Sequence, residues 1–324
     1  MKLKYIIIGV VMLLTAFFPF FTPNNYYLHL IIMIMIYSVS AAGLNLMMGY
    51  LGLLPLSVAA FAGIGAFTSA NLMIRYNTPF LIALLAAVLL AAVVAASIAV
   101  PLLRTRGIFY VIGTMFFQLI TYELFLNLVE ITGGSIGLRG VPKPELFGYS
   151  FSSILELYYF ILLMTVATHS TIYLIVKSDF GRSLLAIKEN EVKAISLGLN
   201  PYTHKLFSFS ISMAIAAISG ALLAHYLSHI SAENFSLLQS IDVFLMVTIG
   251  GPGTFYGPIA GAVIWTIVME VLLSFRGLRE LLYGVVLVIL MLIIPKGAIG
   301  FPMMNMRKML RTLPIRKFVS AIFK

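Results

Sequence analysis

Cysteine is absent from all 324 residues, which excludes disulfides, thiolate nucleophiles and thiolate metal sites together and leaves the redox compartment unreadable. Charge is scarce: only 10% of residues are Asp, Glu, Lys or Arg, with 11 acids against 21 bases. No "GxxxxGK" stretch occurs to cradle phosphates, so any ATP must bind another chain. Neither an "HExxH" pair nor a serine in a nucleophile elbow is present, and no cluster of His, Asp or Glu marks a membrane-face active site. Nothing in the sequence supports catalysis, a cofactor or a metal site.

Apolar sequence fills the space. Hydrophobic residues make up 61% of the chain and the mean hydropathy is +1.06, far from the composition of a soluble domain. Several apolar runs approach the roughly 20 residues needed to cross about 30 Å of hydrocarbon. Backbone groups in lipid need internal partners and no alternating barrel pattern is seen, so the expectation is an all-α integral membrane protein. A formal net charge of +10 then asks which side of a bilayer the bases occupy, before it asks about nucleic acid. The opening "YIIIGVVMLLTAFF" is followed by "PFFTPNN" and by no small-x-small cleavage site, which reads as an uncleaved first span.

Ten apolar segments are expected, near 5–22, 26–48, 51–72, 79–103, 107–129, 154–176, 204–227, 240–251, 257–275 and 280–295; the eighth is too short to cross alone. With both termini on one side, sixteen of the 21 bases fall on that side and five, Arg75, Arg139, Lys143, Arg276 and Arg279, on the other. That asymmetry fits the positive-inside rule. It makes residues 1–324 a single multi-pass domain in a prokaryotic-type plasma membrane, with both termini, a loop at 177–205 and a basic tail at 296–324 in the cytoplasm. The tail suits either anionic lipid or solvent.

Two segments are not ordinary spans. "GLNLMMGYLGLLPLSVAAFAGIGAF" carries Gly43, Gly49, Gly52, Gly63 and Gly65 with Pro55, which removes a backbone donor. "TIGGPGTFYGPIAGA" carries Gly250, Gly251, Gly253, Gly257 and Gly261 with Pro252 and Pro258. Both are expected to be broken or re-entrant helices, one in each half of a two-fold internal repeat. Paired interruptions of this kind point to a transport path between repeats. Close helix packing is the competing use of such glycines, and it is the preferred reading for Gly63 and Gly261 taken singly. The candidate path residues are Asn45, Gly49, Gly52, Pro55, Gly63, Gln118, Gly250, Gly251 and Gly253, with Asn45 leaning toward a cap on unwound backbone.

Residues 181–199, within the insert, have a helical pattern. Leu184, Leu185, Val192 and Ile195 fall within about a 100° arc, which Lys188 interrupts. Gly198 is placed to end this helix in a left-handed cap and Pro201 forbids continuation. Such a helix suits lipid headgroups or a groove on a soluble partner; the acids Asp179, Glu189 and Glu191 among the bases favour the partner.

The insert "GRSLLAIKENEVKAISLGLN", with "HKLFSF" after it, resembles the cytoplasmic coupling loop of the M-type permease subunit of branched-chain amino-acid ABC importers. "RGIFYVIGTMFFQLI", "TGGSIGL", "SGALLAHYLSHISAENFSLLQSI" and both interrupted segments recur in the family's order over about residues 40–297. The resemblance implies a subunit without chemistry of its own, paired with a second permease subunit. Cytoplasmic ATPase subunits would grip the coupling loop, and an extracytoplasmic binding protein would deliver substrate. Arg182, Lys188, Glu189, Glu191, Lys193, Ala194, Gly198 and Lys205 are the coupling candidates it implies. Where the family usually has "GYTGQLSLGHAAFFGIGAY", Leu53 stands at a Gln position, Pro55 at a Ser position and Val58 at a His position. That loss of polar groups implies a more apolar substrate, or polarity supplied by the partner permease.

The remaining ionisable groups divide between function and structure. Glu123 fits the outer mouth of a path or an interfacial position equally, whereas Glu270 suits an interhelical hydrogen bond or an interface position better than a substrate contact. His225 and His229, spaced i and i+4, would share a helix face but lack a third ligand. His29, His169 and His204 read as structural or solvated. Ser236, Gln239 and Asp242 fit contact with a binding protein, or capping by Ser236 or Ser240. Urea or short-amide uptake remains the alternative within the family. An ion-coupled carrier would need mid-membrane acids that are almost absent here.

Overall fold

The computed structural model describes residues 24–273 apart from 106 and 147, together with 18, 19, 281 and 283–285. Nearly all of the segments expected near 5–22 and 280–295, and the whole basic tail, lie outside the described residues.

Among the described residues six helices are long and apolar enough to cross a membrane. Helix α1, Asn25–Asn45, runs on into a π-helical turn at Leu46–Leu51; α2 is Val58–Tyr76, α3 Phe80–Leu102 and α4 Ile108–Asn127. After a short α5, Val129–Thr132, come β1 (Leu138–Arg139), β2 (Glu145–Leu146) and β3 (Tyr149–Ser150), and then α6 at Ile154–Lys177. Helices α7, Asp179–Glu189, and α8, Glu191–Ser196, lead into the sixth long helix, α9, Pro201–Leu227. Strand β4 (His229–Ile230), α10 (Leu237–Gly250) and α11 (Gly257–Leu273) follow. At 1.5 Å per residue α10 reaches only about 21 Å, so it stops short of a full crossing as its length in the sequence predicts.

Helix starts coincide with side chains that replace missing backbone partners. Asn24 accepts from the Tyr26 amide, Ser153 and Glu156 form a reciprocal capping box on α6, and Asn200 caps α9 with Pro201 in its first turn.

Helix α3 shows how the bundle packs. Ala83, Ala87, Ala91, Ala95 and Ala99 are all buried, whereas Leu85, Leu89 and Val93 are more than 60% exposed. A spacing of four lays the alanines along one stripe, and α3 packs on α9 and α2. Lipid is as apolar as leucine, so turning leucine inward gains little, while alanine lets backbones approach closely. Helices α2 and α9 approach closely. A Cβ on Gly220 would stand 1.8 Å from the Ala62 carbonyl oxygen, and one on Gly65 would stand 2.3 Å from that of Ala217.

The bundle end that holds the α4–α6 connection is tied by short strands. Leu138 pairs with Ile230 and Arg139 with His229, antiparallel; Glu145–Leu146 folds back on Tyr149–Ser150. Lys143 donates to the Tyr226 carbonyl at 2.9 Å, and burial pulls its ammonium pKa below the usual lysine value. The i, i+4 histidines do not share a helix face. Ser228 takes a left-handed φ of 57° that ends α9, which places His229 on β4 while His225 stays on the helix. Each donates from Nδ1 to a separate carbonyl, His225 to Pro142 and His229 to Leu138. Among the described residues no group of three or more His, Asp or Glu gathers to hold a metal.

Candidate translocation seam and coupling helices

Both interrupted segments break where the sequence removes helix-compatible backbone. The π-helical turn ends at Gly52, whose φ of 80° is left-handed, and Pro55 has no amide to continue a ladder. Residues 52–57 are non-helical and α2 begins at Val58 with its amino end buried. A buried helix start needs partners for its amides. The Ala59 amide donates to Ser240 Oγ at 3.0 Å and the Ala60 amide to Gln118 Oε1 at 2.7 Å. Thr114 Oγ1 accepts from the Leu56 amide just before the helix. Gln118 also accepts from the Ser240 hydroxyl and donates from Nε2 to the Phe235 carbonyl at 2.8 Å. Fully buried on α4, it joins α2, α10 and the turn before α10. Ser240 therefore caps α2 and not its own helix, and Ser236, at the N-cap position of α10, makes no capping bond with its side chain.

In the second interruption, Gly251 and Gly253 have φ of 110° and 77°. Thr254 Oγ1 closes the turn by donating to the Gly251 carbonyl and accepting from the Gly257 amide. Helices α10 and α11 then lie almost in backbone contact: a Cβ on Gly261 would be 1.7 Å from the Met246 carbonyl oxygen, and one on Gly250 1.8 Å from that of Gly257. Gly63 faces the rings of Phe125 and Phe235 at a distance that would not admit a methyl group.

The two interruptions meet. Asn45 Oδ1 accepts from the Gly253 amide and Asn45 Nδ2 donates to the Thr254 carbonyl, each at 2.9 Å. One turn on, a Cβ at Gly49 would fall 2.2 Å from the Gly253 nitrogen. Glycine is required here because backbone lies against backbone.

The insert forms two helices where the sequence suggests one. Asn190 adopts φ −160° and ψ 105°, and its side chain accepts from the Lys193 amide, capping α8 and breaking the helix. Asn competes with helical backbone in this way through its short amide. The apolar arc is split as a result. Leu184, Ile187 and Ala194 are buried against the bundle, while Leu185, Val192, Ile195 and Leu197 face out. Gly198 has a φ of 82° with open space around its α-carbon, and the Leu199 amide returns to the Ala194 carbonyl to complete the left-handed cap.

The family described as "Branched-chain amino acid transport system / permease component" matches residues 26–295. The chain belongs to this permease family. It is 34% identical over 286 residues to the high-affinity branched-chain amino acid transport system permease protein LivM of Escherichia coli (strain K12), covering 81% of this chain and 67% of that protein. The Salmonella typhimurium LivM is 34% identical over 288 residues, covering 82% and 68%. The autoinducer 2 import system permease protein LsrC of Yersinia enterocolitica is 29% identical over 191 residues, covering 55% of this chain and 49% of that one. No solved structure matches.

In this permease the coupling candidates serve different purposes. Arg182 pairs with Asp179 on its own helix, and Lys205 Nζ meets Glu191 Oε2 at 2.8 Å, tying α8 to α9. Lys188, although exposed, reaches back: its Nζ donates to the Gly49 carbonyl at 2.6 Å, and its side-chain stem lies against Gly52. Ala194 is buried and Glu189 and Lys193 are exposed. Of the four residues of the expected apolar arc, Leu185, Val192 and Ile195 face out together with Leu197, while Leu184 is buried. Among the other ionisable groups, Glu270 accepts from the Tyr26 hydroxyl at 2.6 Å across α11 and α1, Asp242 accepts from Tyr283, and Glu123 is exposed.

Proposed function

We propose that this permease is the membrane subunit of an ABC importer for branched-chain amino acids, working with a second permease subunit, cytoplasmic ATPase subunits and an extracytoplasmic binding protein. The carrying observation is the meeting of the two interrupted segments beneath α7, where Lys188 bonds Gly49 and Asn45 bonds Gly253. On this reading the seam is the cytoplasmic closure of the path. Helices α7 and α8 are the docking element, and Leu185, Val192, Ile195 and Leu197 are the apolar surface an ATPase groove covers. Exposed leucine and valine on a water-facing loop are costly alone and stable under a partner. ATP-driven motion of the docked helices would part the seam and open the path inward.

The proposal includes ten membrane segments, an internal repeat and cytoplasmic termini, supported by the one-sided distribution of lysine and arginine. It also includes an apolar substrate, supported by Leu53, Pro55 and Val58 at positions the family usually fills with polar groups. The test is affinity purification of the chain from its native membrane, followed by amino-acid uptake in vesicles. Co-purification of an ATPase subunit and a second permease subunit, with ATP-dependent leucine, isoleucine or valine uptake, is the expected result. Ion-driven accumulation by the lone subunit would overturn it.

A further inference from the structure

We propose that Lys188 is a positioning residue that transmits motion from the docking helices to the closed seam. It does so through its hydrogen bond to the Gly49 carbonyl and not through contact with the ATPase; the inference rests on the docking role proposed above. Gly49 lies in the last turn of α1's π-helical extension, where carbonyls run short of donors. The Gly52 and Leu53 amides both return to Met47, and Pro55 offers none. The Lys188 ammonium supplies the missing donor at 2.6 Å, across 139 residues of sequence. A cation at the carboxyl end of a helix is also favoured by the helix dipole. Among the described residues Lys188 forms no ion pair, since the two present are Arg182 with Asp179 and Lys205 with Glu191.

The placement makes this bond a link in a chain of contacts. Lys188 stands in the last turn of α7, one residue before its end at Glu189 and two before the break at Asn190, with the outward apolar residues of α8 beyond. On the other side, Gly49 abuts Gly253, and Asn45, one turn back, holds both Gly253 and Thr254. Any displacement of α7 pulls the Gly49 carbonyl, and the Gly49 backbone cannot move without disturbing Gly253. Gly52 fits the same device: its left-handed φ of 80° turns the chain away, and the stem of Lys188 lies 3.1 Å from where a Cβ would be.

The experiment compares wild type, Lys188→Met and Lys188→Arg in the complete transporter, reconstituted with its partner permease, ATPase subunits and binding protein. Uptake and ATP hydrolysis are measured together. Methionine keeps the stem and removes the donor, so assembly and hydrolysis should persist while uptake per ATP falls about tenfold, the scale of a charged hydrogen bond. Arginine retains a donor and should keep at least half of the wild-type ratio. A wild-type ratio in Lys188→Met, or a ratio in Lys188→Arg as low as in methionine, would overturn the proposal. Hydrogen exchange of the subunit alone in nanodiscs provides a reading independent of the ATPase. Amides at 46–54 and 251–256 should exchange about tenfold faster in Lys188→Met, and unchanged exchange in both segments would also overturn it. Failure of the wild-type chain to assemble with an ATPase would instead sink the docking role and leave the exchange result to decide the tie.

Discussion

Asn45 and Gly253, 208 positions apart, are joined by a 2.9 Å bond from the Gly253 amide to Asn45 Oδ1, while Asn45 Nδ2 donates to the neighbouring Thr254 carbonyl. One buried amide side chain thus satisfies a donor and an acceptor on backbone that has no helix or sheet to satisfy it. This gives the second glycine-rich break partners for backbone that would be expensive to bury unpaired.

Replacing Asn45 should therefore unseat the second interruption. Asn45→Leu preserves approximate size but orphans the Gly253 amide and the Thr254 carbonyl, at a cost of about 2–4 kcal/mol for the two groups. Asn45→Asp keeps the acceptor, loses the donor and sets a carboxylate against a carbonyl oxygen. Thermal unfolding in detergent should rank wild type above both variants, and equal melting temperatures for wild type and Asn45→Leu would contradict the clasp.

The α2–α9 contact gives a sharper expectation. At Gly220 even a methyl group would sit 1.8 Å from the Ala62 carbonyl oxygen, and the neighbouring atom is backbone, which cannot swing away. Gly220→Val should cost at least about 3 kcal/mol, at the upper end of overpacking penalties. The readout is the yield of monodisperse subunit on size-exclusion chromatography. Leu89→Val, on the exposed face of α3, should leave that yield unchanged.

Gln118, an expected path residue, has a fully buried side chain whose contacts are to backbone and to Ser240. Gln118→Leu should strip the Ala60 amide and the Phe235 carbonyl of partners and destabilise the amino end of α2 by about 2–4 kcal/mol. Gln118→Glu in its neutral form keeps an acceptor for the Ala60 amide and a donor for the Phe235 carbonyl, so it should be milder than Gln118→Leu at low pH and lose that advantage as pH rises and a buried carboxylate forms. Melting curves of the two variants at pH 5 and at pH 8 would check the order and its pH dependence.

The legibility of the chain tracks the physics of each feature. Hydrocarbon thickness demands apolar runs, so the six long helices were visible as runs near the right positions. Glycine and proline have local backbone consequences, so the segments that break at 52–57 and 251–256 are legible as well. Partners separated by hundreds of residues leave no local trace, which is why Lys188 read as a docking charge and Gln118 as a lining group. The break at Asn190 is not legible because asparagine alone signals a cap only weakly; the two helices it separates both bury residues against the bundle, Leu184 and Ile187 on one and Ala194 on the other. The end of α9 at Leu227 matches the expected bound, but the left-handed turn at Ser228 that puts His229 on a strand is not legible, since a non-glycine left-handed residue carries little sequence signature.

The outward face of α7 and α8 supplies the last prediction. Val192, Ile195 and Leu197 are 73%, 56% and 78% exposed, so an acid placed there meets no internal neighbour and should leave the subunit folded. Buried beneath an ATPase groove, the same acid would lose its hydration without gaining a partner. Val192→Asp combined with Leu197→Asp should reduce ATPase co-purification at least about tenfold, because apolar anchors dominate such interfaces. Arg182→Ala serves as the control. Its partner Asp179 lies three residues away on the same exposed helix, and exposed pairs contribute about 0–1 kcal/mol, so co-purification should change little. Gly198→Pro separates shape from surface: a proline cannot take the φ of 82° found there, so α8 should be re-aimed with its side chains intact. Docking should then weaken even though no apolar contact residue has been changed. Full ATPase recovery with the double aspartate variant would show that this face is not the docking surface.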